Sequence, residues 1–192
     1  MTTRSFSRRS IGPRRNPDTA AAILDAAADL LRRDGLKGLT TDAVAREARA
    51  SKATLYRWWP NRGTLLLAVY QRLKDGHLDA DTGSLTGDLR QTLRNLFAFW
   101  RGEGHVFALI IAEAQHDSAV AEVLADYRQE RITAWEQVLH RASGRGEIIL
   151  ATNLNALAES ILAHAWLYLM TGRLDADPDM LADRILKPFQ LD

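Results

Sequence analysis

Between Thr40 and Pro60 the chain has room for two helices of about two turns each, separated by the three residues Arg49 to Ser51. Thr40 is a suitable N-cap for the first, Asp42 favours its positive end, and Val44, Ala45 and Ala48 supply an inward side. The second runs from about Lys52 to Trp59 and stops at Pro60, which has no amide hydrogen to continue a helix. Helices this short are not stable alone and need a longer partner. The preceding segment supplies one. Asp18 follows Pro17 as a plausible N-cap, Ile23, Ala27, Leu30 and Leu31 fall on one face, and Gly35 closes the helix. Two short helices packed on a longer one make a helix-turn-helix.

Charge marks the same part of the chain. Residues 1–62 hold 13 Lys/Arg against 6 Asp/Glu, a net of +7, whereas residues 63–192 carry a net of −6. A basic third followed by an acidic remainder is the electrostatic footprint of a polyanion binder. Residues 1–17, with Arg4, Arg8, Arg9, Arg14 and Arg15 and no acid, read as a flexible basic arm.

Every later segment has a helical period. Asn61 caps a fourth helix carrying Leu65, Leu66, Val69 and Leu73, and the Gly- and Asp-rich stretch 75–88 reads as a hinge. Beyond it the pattern predicts one helix over Leu89 to Trp100, another over His105 to Gln115, and a long one from Ser118 to about His140. A strongly apolar helix ends at Gly172, and a last one spans Pro178 to Phe189. The chain is therefore all-α: an arm at 1–17, a three-helix DNA-binding domain at 18–62 and a larger helical domain at 63–192.

Several function classes fall away. The chain has no cysteine, and its five histidines are scattered without zinc-ligand spacing. Glu113 and His116 have the Glu-x-x-His spacing of di-iron bundles, but that site needs a second copy and the sequence has none. No Gly-rich phosphate loop is present, so neither an enzyme nor a cofactor or metal site is expected. The longest apolar run, Ile161 to Met170, is about half of what a membrane helix needs, and the N-terminus has no apolar leader. The expectation is a soluble, cytoplasmic protein.

The segment Lys52 to Trp59 divides by face at 100° per residue. Leu55 and Trp59 share one side and must pack inward, while Lys52 with Tyr56, Ala53 with Arg57, and Thr54 with Trp58 form the other stripes. Donors, a cation and a small residue that allows close backbone approach are what a helix in the major groove needs.

The two stretches LLRRDGLKGLTTDAVAREA and SKATLYRWWPNRGTLLLAVY, spanning about Ile23 to Tyr70, strongly resemble the TetR/AcrR family of transcriptional regulators. The resemblance implies a homodimer that sets two recognition helices in successive major grooves of a palindromic operator. Repression by such a protein is relieved when a small molecule binds the C-terminal domain. Carried over by position, Thr41, Lys52, Ala53, Thr54 and Tyr56 touch bases or phosphates, and Trp58 faces the DNA backbone. Trp59 takes the family's buried aromatic position and Arg62 its phosphate-gripping one, with Arg57 on the same basic surface. Two positions depart from the pattern. Arg49 stands where the family has a turn glycine, at about 1 kcal/mol if the left-handed conformation is kept, and is aimed at phosphate. Gly63 replaces a commonly acidic residue.

For the C-terminal domain the candidates are apolar bulk with a few polar handles: Phe97, Trp100, Phe107, Ile111, Gln115, Tyr127, Trp135 and His164 around a cavity for an apolar or aromatic effector. Trp166, Leu167, Leu169 and Met170, with Leu181, Ile185 and Leu186 of the final helix, are expected to form a four-helix dimer interface. The alternative is a DNA-binding regulator with no small-molecule ligand, architectural or controlled by another protein, since cavity and filled core have the same sequence pattern.

Overall fold

The computed structural model describes residues 17–74, 80–149 and 151–189. Apart from Pro17, the expected basic arm lies outside them. The described residues form helices α1 (Pro17–Gly38), α2 (Thr41–Glu47), α3 (Lys52–Trp58), α4 (Arg62–Lys74), α5 (Leu85–Glu113), α6 (Ser118–Gly144), α7 (Leu154–Met170) and α8 (Pro178–Leu186), then a 3-10 turn (Lys187–Phe189). There is no strand among the described residues. The chain is all-α and divides into two compact units between Trp58 and Trp59.

In the first unit, α1 begins at Pro17, whose missing amide hydrogen costs nothing there, so Asp18 lies in the first turn rather than capping it. Ile23, Ala27, Leu30 and Leu31 are buried on one face. Gly35, at φ 63°, breaks the helical path, and one further turn leads to Thr40. The Thr40 hydroxyl then accepts from the Ala43 amide at 3.1 Å and starts α2. The turn before α3 is closed by the Ala50 amide donating to the Ala45 carbonyl at 2.9 Å, with Arg49 at φ 52°. Arg49 therefore keeps the left-handed conformation in which glycine is easier, and carries its steric cost. Ser51 caps α3, its hydroxyl accepting from the Thr54 amide at 3.0 Å. Across the first two helices, Arg33 pairs with Glu47 at 3.2 Å.

In the second unit α4 packs on α5 and α6, α6 on α7, and α8 on α5. Asn61 caps α4 through the Thr64 amide at 2.8 Å. The largest difference from the sequence reading is α5, one continuous helix where two were expected. Arg101 and Gly102 are simply its solvent side, and Gly104 is where α7 crosses: a Cβ there would stand 2.8 Å from Leu169 Cδ1. Glycine's weak helix propensity is outweighed by packing on both flanks. The core is strongly aromatic. Tyr70 stacks on Phe107 at 4.6 Å between centroids, Phe97 on Tyr168 at 5.7 Å, and the Trp100 indole donates to the Tyr70 hydroxyl at 3.0 Å. No helix among the described residues is long and apolar enough to cross a membrane.

The start of α5 is held by an acid from the turn just past α6. Glu147 accepts from the Leu85 amide at 2.6 Å and from the Arg145 guanidinium. The Arg145 hydrogen bond lowers the Glu147 carboxyl below its ordinary value near 4.5, partial desolvation opposes this, and the Leu85 amide adds to it. A carboxyl with a depressed folded pKa contributes stability above its unfolded pKa and loses it as pH falls through the folded one. Glu147→Gln is therefore expected to lower the melting temperature at pH 7 and to make the loss of stability below about pH 4.5 shallower. Thermal denaturation of both proteins between pH 3 and 7 checks this; parallel curves would refute it.

Candidate nucleic-acid interface and effector recess

Within the first unit, the two turns of α3 separate cleanly by exposure. Leu55 is 2% exposed and Tyr56, the next residue, 53%. Lys52, Ala53 and Arg57 are also exposed, and Thr54 and Trp58 are half-buried. Trp59, just past the helix, is 4% exposed. Adjacent tryptophans thus have different environments.

The polar face is partly committed to internal partners. Lys52 forms an ion pair with Asp42 in the first turn of α2. That hydrogen bond, with the nearby carboxylate charge, raises the Lys52 ammonium above its usual range. The Thr54 hydroxyl is 2.9 Å from that of Ser51. Thr41 is half-buried at the start of α2, and Arg49 is exposed in the turn. Arg62 belongs to the second unit, where it pairs with Glu113 at the end of α5 at 3.4 Å. That pairing also accounts for one half of the Glu-x-x-His spacing. Asp42→Asn is expected to release Lys52 and remove a repelled charge, raising affinity for any duplex and steepening its salt dependence. A titration at several salt concentrations checks it, and equal slopes would contradict it.

The second unit contains a cleft of about 280 Å³ lined by Ala80, Thr92, Arg131, Trp135 and Arg141 among others. Sharing its residues Thr92, Arg131 and Trp135 is a narrow recess of about 40 Å³ between α4, α5, α6 and α7. Of the expected effector contacts, Trp100, Tyr127 and Trp135 line the recess. Phe97 and Phe107 do not: both are wholly buried in ring stacks of the core. Ile111 and Gln115 lie at the far end of α5, where the Gln115 amide donates to the Ile111 carbonyl. His164 is held to its own helix, its ring nitrogen 2.7 Å from the Ser160 carbonyl. The residues that sequence reasoning missed are Tyr70 and Lys74 on α4 and Arg131 on α6; Trp166, expected at a dimer interface, also lines the recess. A signal existed: Tyr127, Arg131 and Trp135 are four apart, which puts a cation between two rings on one helical stripe.

The proposed dimer residues divide as well. Leu167 and Met170 are exposed, at 47% and 48%, and so is Met180 at 71%. Leu169 is buried beside Gly104, and Leu181, Ile185 and Leu186 are buried within the subunit. α8 is amphipathic, and its single apolar stripe is already covered by the packing of α8 on α5. Ion pairs from Arg90 to Asp183, at 2.7 Å, and from Arg94 to Asp179 flank that contact.

Known proteins share both units. The family model described as "Bacterial regulatory proteins, tetR family" matches residues 23–69, and that described as "Tetracyclin repressor-like, C-terminal domain" matches residues 79–187. The HTH-type transcriptional regulator YdeS of Bacillus subtilis is 28% identical over 185 residues, covering 93% of this chain and 92% of its own. A protein named DNA-binding transcriptional repressor TetR, from Mycobacteroides abscessus, is 29% identical over 157 residues, covering 78% of this chain and 83% of its own. Among solved structures, the TetR family transcription regulator SCO0332 superposes with a TM-score of 0.70 at 26% identity, covering 89% of this chain and 96% of that one. An exposed polar face on α3, held by a helix-turn-helix and followed by a helical domain that matches along its length, leads to one conclusion: this chain belongs to the TetR family of DNA-binding transcriptional regulators.

Proposed function

We propose that the protein is a homodimeric, cytoplasmic repressor that reads a palindromic operator with α3 and leaves it when a small apolar or aromatic molecule enters the α4–α7 recess. The exposed stripe of Lys52, Ala53, Tyr56 and Arg57 on a helix anchored by Leu55 supports the DNA half of this reading. Repression is also the role printed in the name of the Mycobacteroides abscessus relative. The exposed side chains of Leu167 and Met170 on α7 are the apolar surface offered to a second copy.

The observation that carries the effector half is the placement of α4. Near its C-terminal end Tyr70 and Lys74 form one wall of the recess. At its N-terminal end, Arg62 pairs with Glu113, and Gly63 packs so closely on α6 that a Cβ would lie 2.9 Å from the Val120 backbone. A molecule that pushes on one end of a stiff helix shifts the other, and α4 follows α3 after three residues. The alternative, a regulator with no small-molecule effector, draws support from the narrowness of the recess, which at about 40 Å³ holds about one water.

The test is selection of bound duplexes from a random library by the purified protein, with sedimentation of the resulting complex. The expected result is an inverted repeat with half-site centres one or more helical turns apart and a dimer on each duplex. Recovery of duplexes with no sequence preference would sink the reading.

A further inference from the structure

We propose that Asp42 and Lys52 read one G·C base pair in each half-site as a single donor–acceptor unit, with Asp42 the residue that sets the preference. This rests on the reading of α3 as the helix that enters the groove, and adds a base identity to it.

Lys52 is the first residue of α3 and Asp42 the second of α2, and the ion pair between them joins the two helix starts. Recognition helices of this motif meet base edges with their N-terminal residues. An acid on such a surface works against affinity, because phosphates repel it. Stability does not account for it either. Asp42 is 66% exposed and Lys52 59%, and an exposed ion pair contributes little. The start of α2 is already capped by the Thr40 hydroxyl. What Asp42 adds is an acceptor fixed beside a cation, on a stripe that continues with the exposed Tyr56.

Both groups keep capacity for a ligand. An ammonium has three N–H donors and gives one to Asp42; a carboxylate has about four lone-pair sites and uses one for Lys52. One group only donates and the other only accepts, so neither adapts by rotation as a hydroxyl or an amide does. The major-groove edge of a base pair is a row of such groups. From the guanine side, G·C runs acceptor, acceptor, donor: N7 and O6, then the cytosine N4 amino group. An ammonium over N7 and O6, with a carboxylate next to it at N4, satisfies the whole row. Turning the pair round sets the ammonium against the amino group and the carboxylate against O6. On A·T the row runs acceptor, donor, acceptor from either side, so the ammonium meets the adenine amino group and the carboxylate meets an acceptor. Lys52 alone could swing to any acceptor nearby, thymine O4 included. The acid beside it removes that freedom, because every wrong pair brings like against like.

The test uses the purified full-length protein with the variants Asp42→Ala and Lys52→Ala, each checked for an unchanged circular dichroism spectrum. Each base pair of one half-site of the selected operator, with its symmetry mate, is exchanged for the other three, and affinities are measured by fluorescence anisotropy. In the unaltered protein, exchange at one G·C position is expected to weaken binding about 10-fold or more. Asp42→Ala should cut that penalty to about 3-fold or less, leave the penalties elsewhere near their starting values and tighten binding to a scrambled duplex. Lys52→Ala should relax the same position but weaken binding to every duplex. Replacing both should relax it no further than replacing one, as for two groups that act together. If no G·C position responds to Asp42→Ala, or the two variants relax different positions, the proposal is overturned and the reading of α3 stands. If the unaltered protein shows no base preference at any position, that reading falls and the proposal with it.

Discussion

Replacing Tyr56 by alanine is expected to abolish operator-specific binding while leaving a folded protein. Over half of this side chain is exposed on α3, next to a leucine that is almost wholly buried. Truncating it removes little packing, so the melting temperature should fall by no more than about 1–2 °C. Its phenol lies on the same stripe as Lys52, four residues earlier, and this stripe is the one turned outward. A good base-edge interaction is worth roughly 1–3 kcal/mol of discrimination, and the proposed homodimer would forfeit it twice. Phosphate contacts from arginine and lysine are untouched, so weak, salt-sensitive binding to any duplex should survive. Fluorescence anisotropy on the selected operator and on a scrambled duplex separates the two effects. If the ratio of the two affinities is unchanged, Tyr56 does not read sequence.

Trp59→Ala should behave in the opposite way. Its side chain is 4% exposed, and deleting a buried aromatic costs roughly 3–5 kcal/mol. For a chain of this size that corresponds to a fall in melting temperature on the order of 10 °C. Operator binding should decline with it, in specific and nonspecific parts alike, because a less stable protein presents less folded α3 to either duplex. Trp58→Ala, one residue earlier and half-buried, should have a much smaller thermal effect. Calorimetry on the pair decides the matter: equal destabilisation would mean that the two tryptophans do not divide into anchor and surface.

The burial of Leu55 and Trp59 and the exposure of Tyr56 were legible without coordinates, because a short amphipathic segment permits few arrangements. The caps at Thr40 and Asn61 and the stop at Gly35 were equally readable, because each depends on side-chain chemistry within a turn or two of chain. Arg49 shows the limit of local preference. Its left-handed turn persists without glycine because the turn geometry is set by the helices on either side.

Where packing joins distant segments, the sequence pattern was a weaker guide. Gly102 and Gly104 look like a break, yet α5 continues through them because α7 needs a close approach at Gly104. Phe97 and Phe107 have the same composition and spacing as pocket residues, but belong to the ring stack beneath the recess. Leu181, Ile185 and Leu186 form a stripe fit for either a partner or the parent subunit, and α5 occupies it. Lys74 and Arg131, 57 positions apart in the chain, meet at one recess only through the packing of α4 against α6. By itself the sequence determined the all-α architecture, the helix-turn-helix and the outward face of α3, since periodicity and capping act over a few residues. Which rings are core, which apolar stripe is covered and which charges converge was decided by tertiary structure, because identical helical stripes differ only in what packs against them.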